Sequence, residues 1–129
     1  MRVVIDTNVI VSALLNTNGI PARILALILN KKLKMLYDNR ILFEYNDVLS
    51  REEFCFDPGT IHDLIVFFKN EGEYINAECT RKSFTDESDK KFYEVYLSGE
   101  AQCLITGNIK HFPKEKMIMT PGEFIRLYP

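Results

Sequence analysis

The chain has 129 residues, of which 47% are hydrophobic and 26% charged. These proportions belong to an ordinary globular domain and exclude a disordered, collagenous or low-complexity chain. Sixteen basic against eighteen acidic side chains leave a formal charge of −2, which argues against holding polyanions by bulk charge but leaves room for a local basic stripe.

Surface scaling gives roughly 7,000 Å² folded against about 22,000 Å² extended, enough burial for a core without covalent staples. The cysteines, Cys55, Cys79 and Cys103, are odd in number and form no C-x-x-C pair. They read as free thiols in a reducing, cytoplasmic setting, and no histidine cluster completes a zinc site. No apolar run approaches the eighteen or so residues of a membrane span, and Asp6 and Asn8 interrupt the stretch where a signal peptide would need its apolar segment. The expectation is one domain over residues 1–129, cytoplasmic and without a membrane partner.

Residues 2–5 read as a short buried strand closed by the polar trio Asp6, Thr7 and Asn8. Pro21 is placed to open a helix to about Asn30, with Ile24, Leu25, Ile28 and Leu29 on one face. Residues 33–37 form a second strand. Asp38 or Asn39 caps a helix to about Arg51, with Ile41, Tyr45, Val48 and Leu49 inward. Asp57 and Pro58 open another helix through Ile61, Leu64, Ile65 and Phe68, and Tyr74 and Ile75 follow as an extended piece. Residues 86–97 are helical, residues 103–106 a buried strand ended by Gly107, and residues 117–119 a last strand. Thr120, Pro121, Gly122 and Glu123 make a capping box for a final helix. Strands alternating with helices predict an α/β fold, a three-layer α/β/α sandwich on a mostly parallel sheet. In such sheets functional groups gather beyond the carboxyl ends of the strands.

Asp6 stands at such an end. On position alone it could simply cap the next helix. Glu44 shares the helical row Ile41, Glu44, Val48, so a carboxylate edges an otherwise apolar stripe; it could also reach water or pair with a lysine or arginine. Asp89 shares a row with Phe92 and Tyr96, and Asp86 lies one turn ahead. Both suit a helix N-terminus without further role. Asn108 follows the strand 103–106. Oxygen donors meeting at one sheet end without His or Cys suit Mg²⁺ or Mn²⁺ and not zinc. Such sites most often act on phosphate esters, where the ion acidifies water and neutralises phosphoryl charge.

The stretches VVIDTNVIVSALL, NRILFEYNDVLSR and TDESDKKFYEVYLSGEAQCLITGN resemble the three acidic motifs of PIN domains, in order and with suitable spacing. The likeness runs from Met1 to about Phe112 and is nearest the VapC-like toxin component of bacterial toxin–antitoxin pairs. It implies a PIN-like sandwich and a metal-dependent endoribonuclease that hydrolyses phosphodiester bonds of single-stranded RNA. Such proteins are usually dimeric, so a homodimer is expected, with an antitoxin protein as a further partner. Asp6, Glu44 and Asp89 match the family acids as catalytic residues. Asp6 and Asp89, with Asp86, would hold Mg²⁺ (Mn²⁺ substituting), and Glu44 would hold or orient the attacking water. Thr7, Asn8, Thr106 and Asn108 would support them.

Two positions depart from the family. Asn108 replaces the usual aspartate after T-G, and Lys90 stands where a second acid is common, which makes the site less negative. These departures favour an alternative, a catalytically weakened scaffold that binds protein or RNA. Dehalogenase-like phosphatases and phospho-receiver domains also begin with an aspartate after a strand. The phosphatases need an acid two residues later, where this chain has Asn8, and receivers expect an acidic pair before the first helix. Arg23, Arg81, Lys82, Lys90, Lys91, Lys110 and His111 lie near the motifs and read mostly as solvated surface. Neither His62 nor His111 has metal-ligand spacing, and neither is assigned a catalytic role. The apolar faces of residues 24–29 and 61–68 are core, and either could extend into a dimer surface.

Overall fold

Three short segments have no polar interior position: Val3, Val4 and Ile5; Met35, Leu36 and Tyr37; Cys103, Leu104 and Ile105. Successive residues on a strand face opposite ways, and every one of these is buried, so both faces of the sheet are covered. The computed structural model describes residues 1–128. Its strands are β1 (Arg2–Ile5), β2 (Lys34–Tyr37), β3 (Glu73–Tyr74), β4 (Cys103–Ile105) and β5 (Ile118–Met119), ordered β3-β2-β1-β4-β5 in one sheet. All neighbouring pairs are parallel. The α/β sandwich expected from the sequence is thus the observed architecture.

The helices are α1 (Thr7–Leu15), α2 (Ile20–Leu29), α3 (Asn39–Leu49), α4 (Pro58–Glu71), α5 (Lys90–Ser98) and α6 (Pro121–Leu127). Their starts follow local chemistry. Asp38 caps α3 by accepting from the Ile41 N–H at 3.0 Å, Asp57 caps α4 from the Thr60 N–H at 2.9 Å, and Thr120 and Glu123 form the capping box of α6. Between α2 and β2 the chain reverses through Lys31 at φ 61°, a left-handed position. At the end of α4, Gly72 lies against β2 so tightly that a Cβ there would come within 2.7 Å of the Met35 carbonyl oxygen.

Several boundaries differ from the sequence reading: the strands read as 33–37, 103–106 and 117–119 are each one residue shorter, α3 ends at Leu49, and two further differences have a local cause. The edge strand is Glu73–Tyr74, and the Ile75 N–H closes its ladder on the Tyr37 carbonyl at 2.8 Å. The segment expected to be helical from residue 86 begins instead as a 3-10 turn, Glu87–Asp89, because Asp86 draws the Ser88 N–H to its side chain at 2.9 Å; regular helix starts only at Lys90. Short 3-10 turns at Glu52–Phe54 and Ile109–His111 complete the elements.

No single helix among the described residues is long and apolar enough to cross a membrane; α1 and α2 would suffice together, but the chain bends 104° between them. Their apolar faces go into the core through Val9, Ile10, Ala13, Ile24, Leu25 and Ile28. Tyr45 is fully buried beside Phe68 and Phe92, with ring centroids 5.7 and 6.4 Å away, and its hydroxyl donates to the Ile5 carbonyl at 2.5 Å. That bond ties α3 to the last residue of β1.

Helices α3 and α5 meet through charge. Arg40 donates to Glu94 at 2.7 Å and pairs with Asp38 at 2.7 Å, while the other Glu94 oxygen accepts the Thr80 N–H at 2.7 Å. Glu94 is only 3% exposed, and Arg40 is the cation paired with it. Replacing Arg40 by Ala strands that carboxylate and is expected to cost about 2–3 kcal/mol of folding stability, measured by urea denaturation at neutral pH. The loss should shrink when Glu94 is also changed to Gln.

Candidate active site

The two central strands end together. Ile5 pairs with Ile105, so Asp6 and Thr106 leave the sheet side by side. The Asp6 N–H donates to the Ile105 carbonyl at 2.9 Å, and Thr106 Oγ1 donates to Asp6 Oδ2 at 2.7 Å. Asn8 Nδ2 reaches the same carboxylate oxygen at 3.3 Å, while Asn8 Oδ1 accepts the Gly107 N–H at 3.0 Å. Asn108 adds its backbone N–H to Thr106 Oγ1 at 3.0 Å, and its side chain is exposed. The hydroxyl of Thr106 therefore accepts from one side and donates to Asp6 on the other, which fixes its proton toward the carboxylate. Although Asp6 occupies the capping position of α1, its side chain makes no capping bond.

Glu44 projects from the second turn of α3. Thr7 Oγ1 donates to its Oε2, and Lys91 Nζ lies 2.7 Å from its Oε1. Asp89, at the end of the 3-10 turn before α5, has His111 Nδ1 at 3.1 Å from its Oδ2. Asp86 is exposed, with Oδ1 accepting from the Ser88 N–H at 2.9 Å and the Ser88 hydroxyl at 2.7 Å. It thus caps the turn, as its sequence position allowed.

Electrostatics tie these acids together. Burial pushes the Asp6 carboxyl up to about 6; the Thr106 hydrogen bond works against this, and the charges of Asp89 and Glu44 add to it. Asp89 is also raised, first by burial and then by Asp86, with His111 opposing. Asp86 is lowered by its bonds to Ser88. Asp6, Glu44 and Asp89, far apart in sequence, therefore lie within one another's fields, and Asp86 acts on this group from its edge.

A ready-made cage of converging carboxylates is not what they form. Among the described residues no group of three His, Cys, Asp or Glu side chains is arranged to hold a metal ion. The expected convergence of three or four donors is corrected accordingly. Each acid has turned to a protein donor: Thr106, Asn8, Thr7, Lys91, His111 or Ser88. The donor chemistry nonetheless fits a hard divalent cation, because Asp6 and Asp89 offer carboxylate oxygens whose mutual repulsion a cation would relieve. Beside Glu44 a groove of about 930 Å³ opens between α3 and α5, and Phe43 on its wall is 74% exposed.

Two participants escaped the sequence reading. Lys91 and His111 contact the acids directly, whereas sequence placed the lysine on the surface and gave the histidine no role. The only available signal was the helical row Ser88, Lys91, Val95, which turns Lys91 inward, while Lys90 pairs outward with Glu87 at 3.4 Å.

The raised Asp6 carboxyl has a consequence for pH. An acid whose folded value lies above its ordinary 3.8 favours the folded state when protonated, and that contribution is lost as pH rises through about 6. Asp6→Asn keeps an acceptor for Thr106 without the charge. Without divalent ions it should be more stable than the wild type at pH 7 by up to about 3 kcal/mol, an advantage that vanishes below about pH 4. Denaturation of both proteins across this range in EDTA measures the difference.

Comparison with known proteins gives the family. The PIN domain family model matches residues 2–110. An uncharacterized protein of Methanocaldococcus jannaschii is 35% identical over 111 residues, covering 84% of this chain and 71% of that one. Asp6, Glu44 and Asp89 all fall within the matched region, on a fold of the nuclease type, and the chain belongs to the PIN domain family.

Proposed function

We propose that the protein is a Mg²⁺- or Mn²⁺-dependent endoribonuclease that hydrolyses phosphodiester bonds of single-stranded RNA. The observation that carries this reading is the buried Asp6 carboxylate at the shared end of β1 and β4, in the fields of Asp89 and Glu44. A buried acid repelled by two others is costly to the fold and useful to a cation.

In this reading Asp6 and Asp89 hold the ion, with Asp86 adding negative charge at the rim. When bound, the ion supplies charge neutralisation to the phosphodiester and acidifies water. The chain's own groups do the rest. Thr106 and Asn8 keep Asp6 in one orientation, and His111 steadies Asp89. Glu44, held by Thr7 and Lys91, orients the attacking water. Exposed Phe43 on the adjoining groove offers an apolar ring to an unpaired base.

The toxin role, a cognate antitoxin and a homodimer form part of the same proposal and rest on the resemblance of the motifs. A non-catalytic scaffold is the second reading. Its support is Asn108 in place of an acid and the ammonium of Lys91 among the carboxylates.

Purified protein with single-stranded RNA and Mn²⁺ distinguishes the two. Cleavage is expected in the wild type, lower by about two orders of magnitude or more in Asp6→Asn and Asp89→Asn. Thr106→Val, which only loosens Asp6, should lose about ten-fold. No cleavage by the wild type, or equal cleavage by all variants, would leave the scaffold reading.

A further inference from the structure

Both oxygens of Glu44 are in use. Lys91 Nζ stands 2.7 Å from Oε1 and Thr7 Oγ1 donates to Oε2. By contrast, every side-chain hydrogen bond to Asp6 goes to its Oδ2, and the bond from His111 goes to Oδ2 of Asp89. Oδ1 of each of these two acids thus accepts no side-chain hydrogen bond among the described residues. Asp6 is also held by neutral donors, Thr106, Asn8 and the Thr7 backbone N–H, but of Asp6, Glu44 and Asp89 it is Glu44 that carries a lysine ammonium.

Lys91 is itself firmly held. Its side chain is 12% exposed, its ammonium donates to the Ser88 carbonyl, and Nζ lies 5.1 Å from the centre of the Phe92 ring. Its neighbour Lys90, 27% exposed, pairs instead with Glu87 at 3.4 Å, outside the group of Asp6, Glu44 and Asp89. Two successive lysines therefore do different work, and only the second enters the acidic group. An ion pair this sheltered is weakly screened, so its charge is felt by the carboxylates around it. The ammonium offsets one of the negative charges that Asp6, Glu44, Asp89 and, from the edge, Asp86 bring together.

We infer that Lys91 is a positioning residue that clamps Glu44 away from the metal, so that the site takes one divalent ion on Asp6 and Asp89 and the ammonium stands in for a second cation. This rests on the metal-dependent reading above. Removing the lysine charge frees a carboxylate beside the ion, while removing both members of the pair restores the original balance. Arginine keeps the charge and can still reach a carboxylate.

Mn²⁺ binding to the full chain, followed by electron paramagnetic resonance and calorimetry, tests this without RNA. The wild type should bind one ion per chain, and Asp6→Asn should abolish binding. Lys91→Gln should bind Mn²⁺ about ten-fold more tightly or take a second ion. Lys91→Arg and the double variant Glu44→Gln with Lys91→Gln should both return to wild-type affinity and stoichiometry. A pair effect cancels in this way, whereas general loosening of the fold does not.

Two ions in the wild type, or unchanged binding in Lys91→Gln, would overturn the role of Lys91 and leave the metal site standing. No Mn²⁺ in the wild type, or binding that survives Asp6→Asn, would remove the metal site and this inference with it. Should Lys91→Gln fail to fold, the double variant still decides: binding unlike the wild type's overturns the clamp.

Discussion

A carboxylate buried at the junction of two parallel strands governs how the rest of this molecule is arranged. Asp6 cannot retreat to water, because its own N–H is bound to Ile105 and the residue before it is gripped through its carbonyl by Tyr45. The register Val3 with Cys103, Val4 with Leu104 and Ile5 with Ile105 sets the peptide on both sides. A slip of one residue would take Asp6 out of line with Thr106, so the register of the central strands also places Asp6. Hydrophobic burial in the central sheet thereby sustains an acid that would be less strained in solvent.

Topology then brings the other acids to the same rim. A helix that follows a parallel strand starts near that strand's carboxyl end, which puts the second turn of α3, and so Glu44, within reach of Thr7. A helix that leads back into a strand runs the other way, so the segment before α5 lies at the rim before the chain descends to β4. Asp89 arrives from there, and His111 arrives from the turn after β4. Four separate connections contribute, yet each needs only the ordinary geometry of strand, turn and helix.

Much of this was legible in the residues. Val3, Val4 and Ile5 ahead of Asp6 read as a buried strand with an acid at its end, and the row Ile41, Glu44, Val48 marked an acid on an apolar stripe. Local rules also identified the caps at Asp57 and Thr120 and narrowed that of α3 to Asp38 or Asn39. They could not show that Asp6 would leave its capping position unused, since that depends on Thr106, a hundred residues away. The start of α5 was misread because Asp86 competes with the backbone for the Ser88 N–H, and the helical pattern of the following residues hides this competition. Lys91 was the hardest to place. A lysine has a long, flexible stem, and whether its head turns to solvent or to a carboxylate is settled by what another helix presents to it.

That last point reaches beyond one residue. The seam between α3 and α5 packs Tyr45 against Phe92 and is flanked by two ion pairs, Arg40 with Glu94 and Lys91 with Glu44. Buried or half-buried pairs add little net stability over a hydrophobic contact, but they are directional and penalise a missing partner heavily. An apolar seam could slide by part of a turn at small cost. This one cannot, because a shift that strained Lys91 and Glu44 would also strain Arg40 and Glu94. The orientation of Glu44 is therefore supported by a second pair remote from it, and the groove beside the acids keeps its two walls through these pairs together with the buried contact of Tyr45 and Phe92.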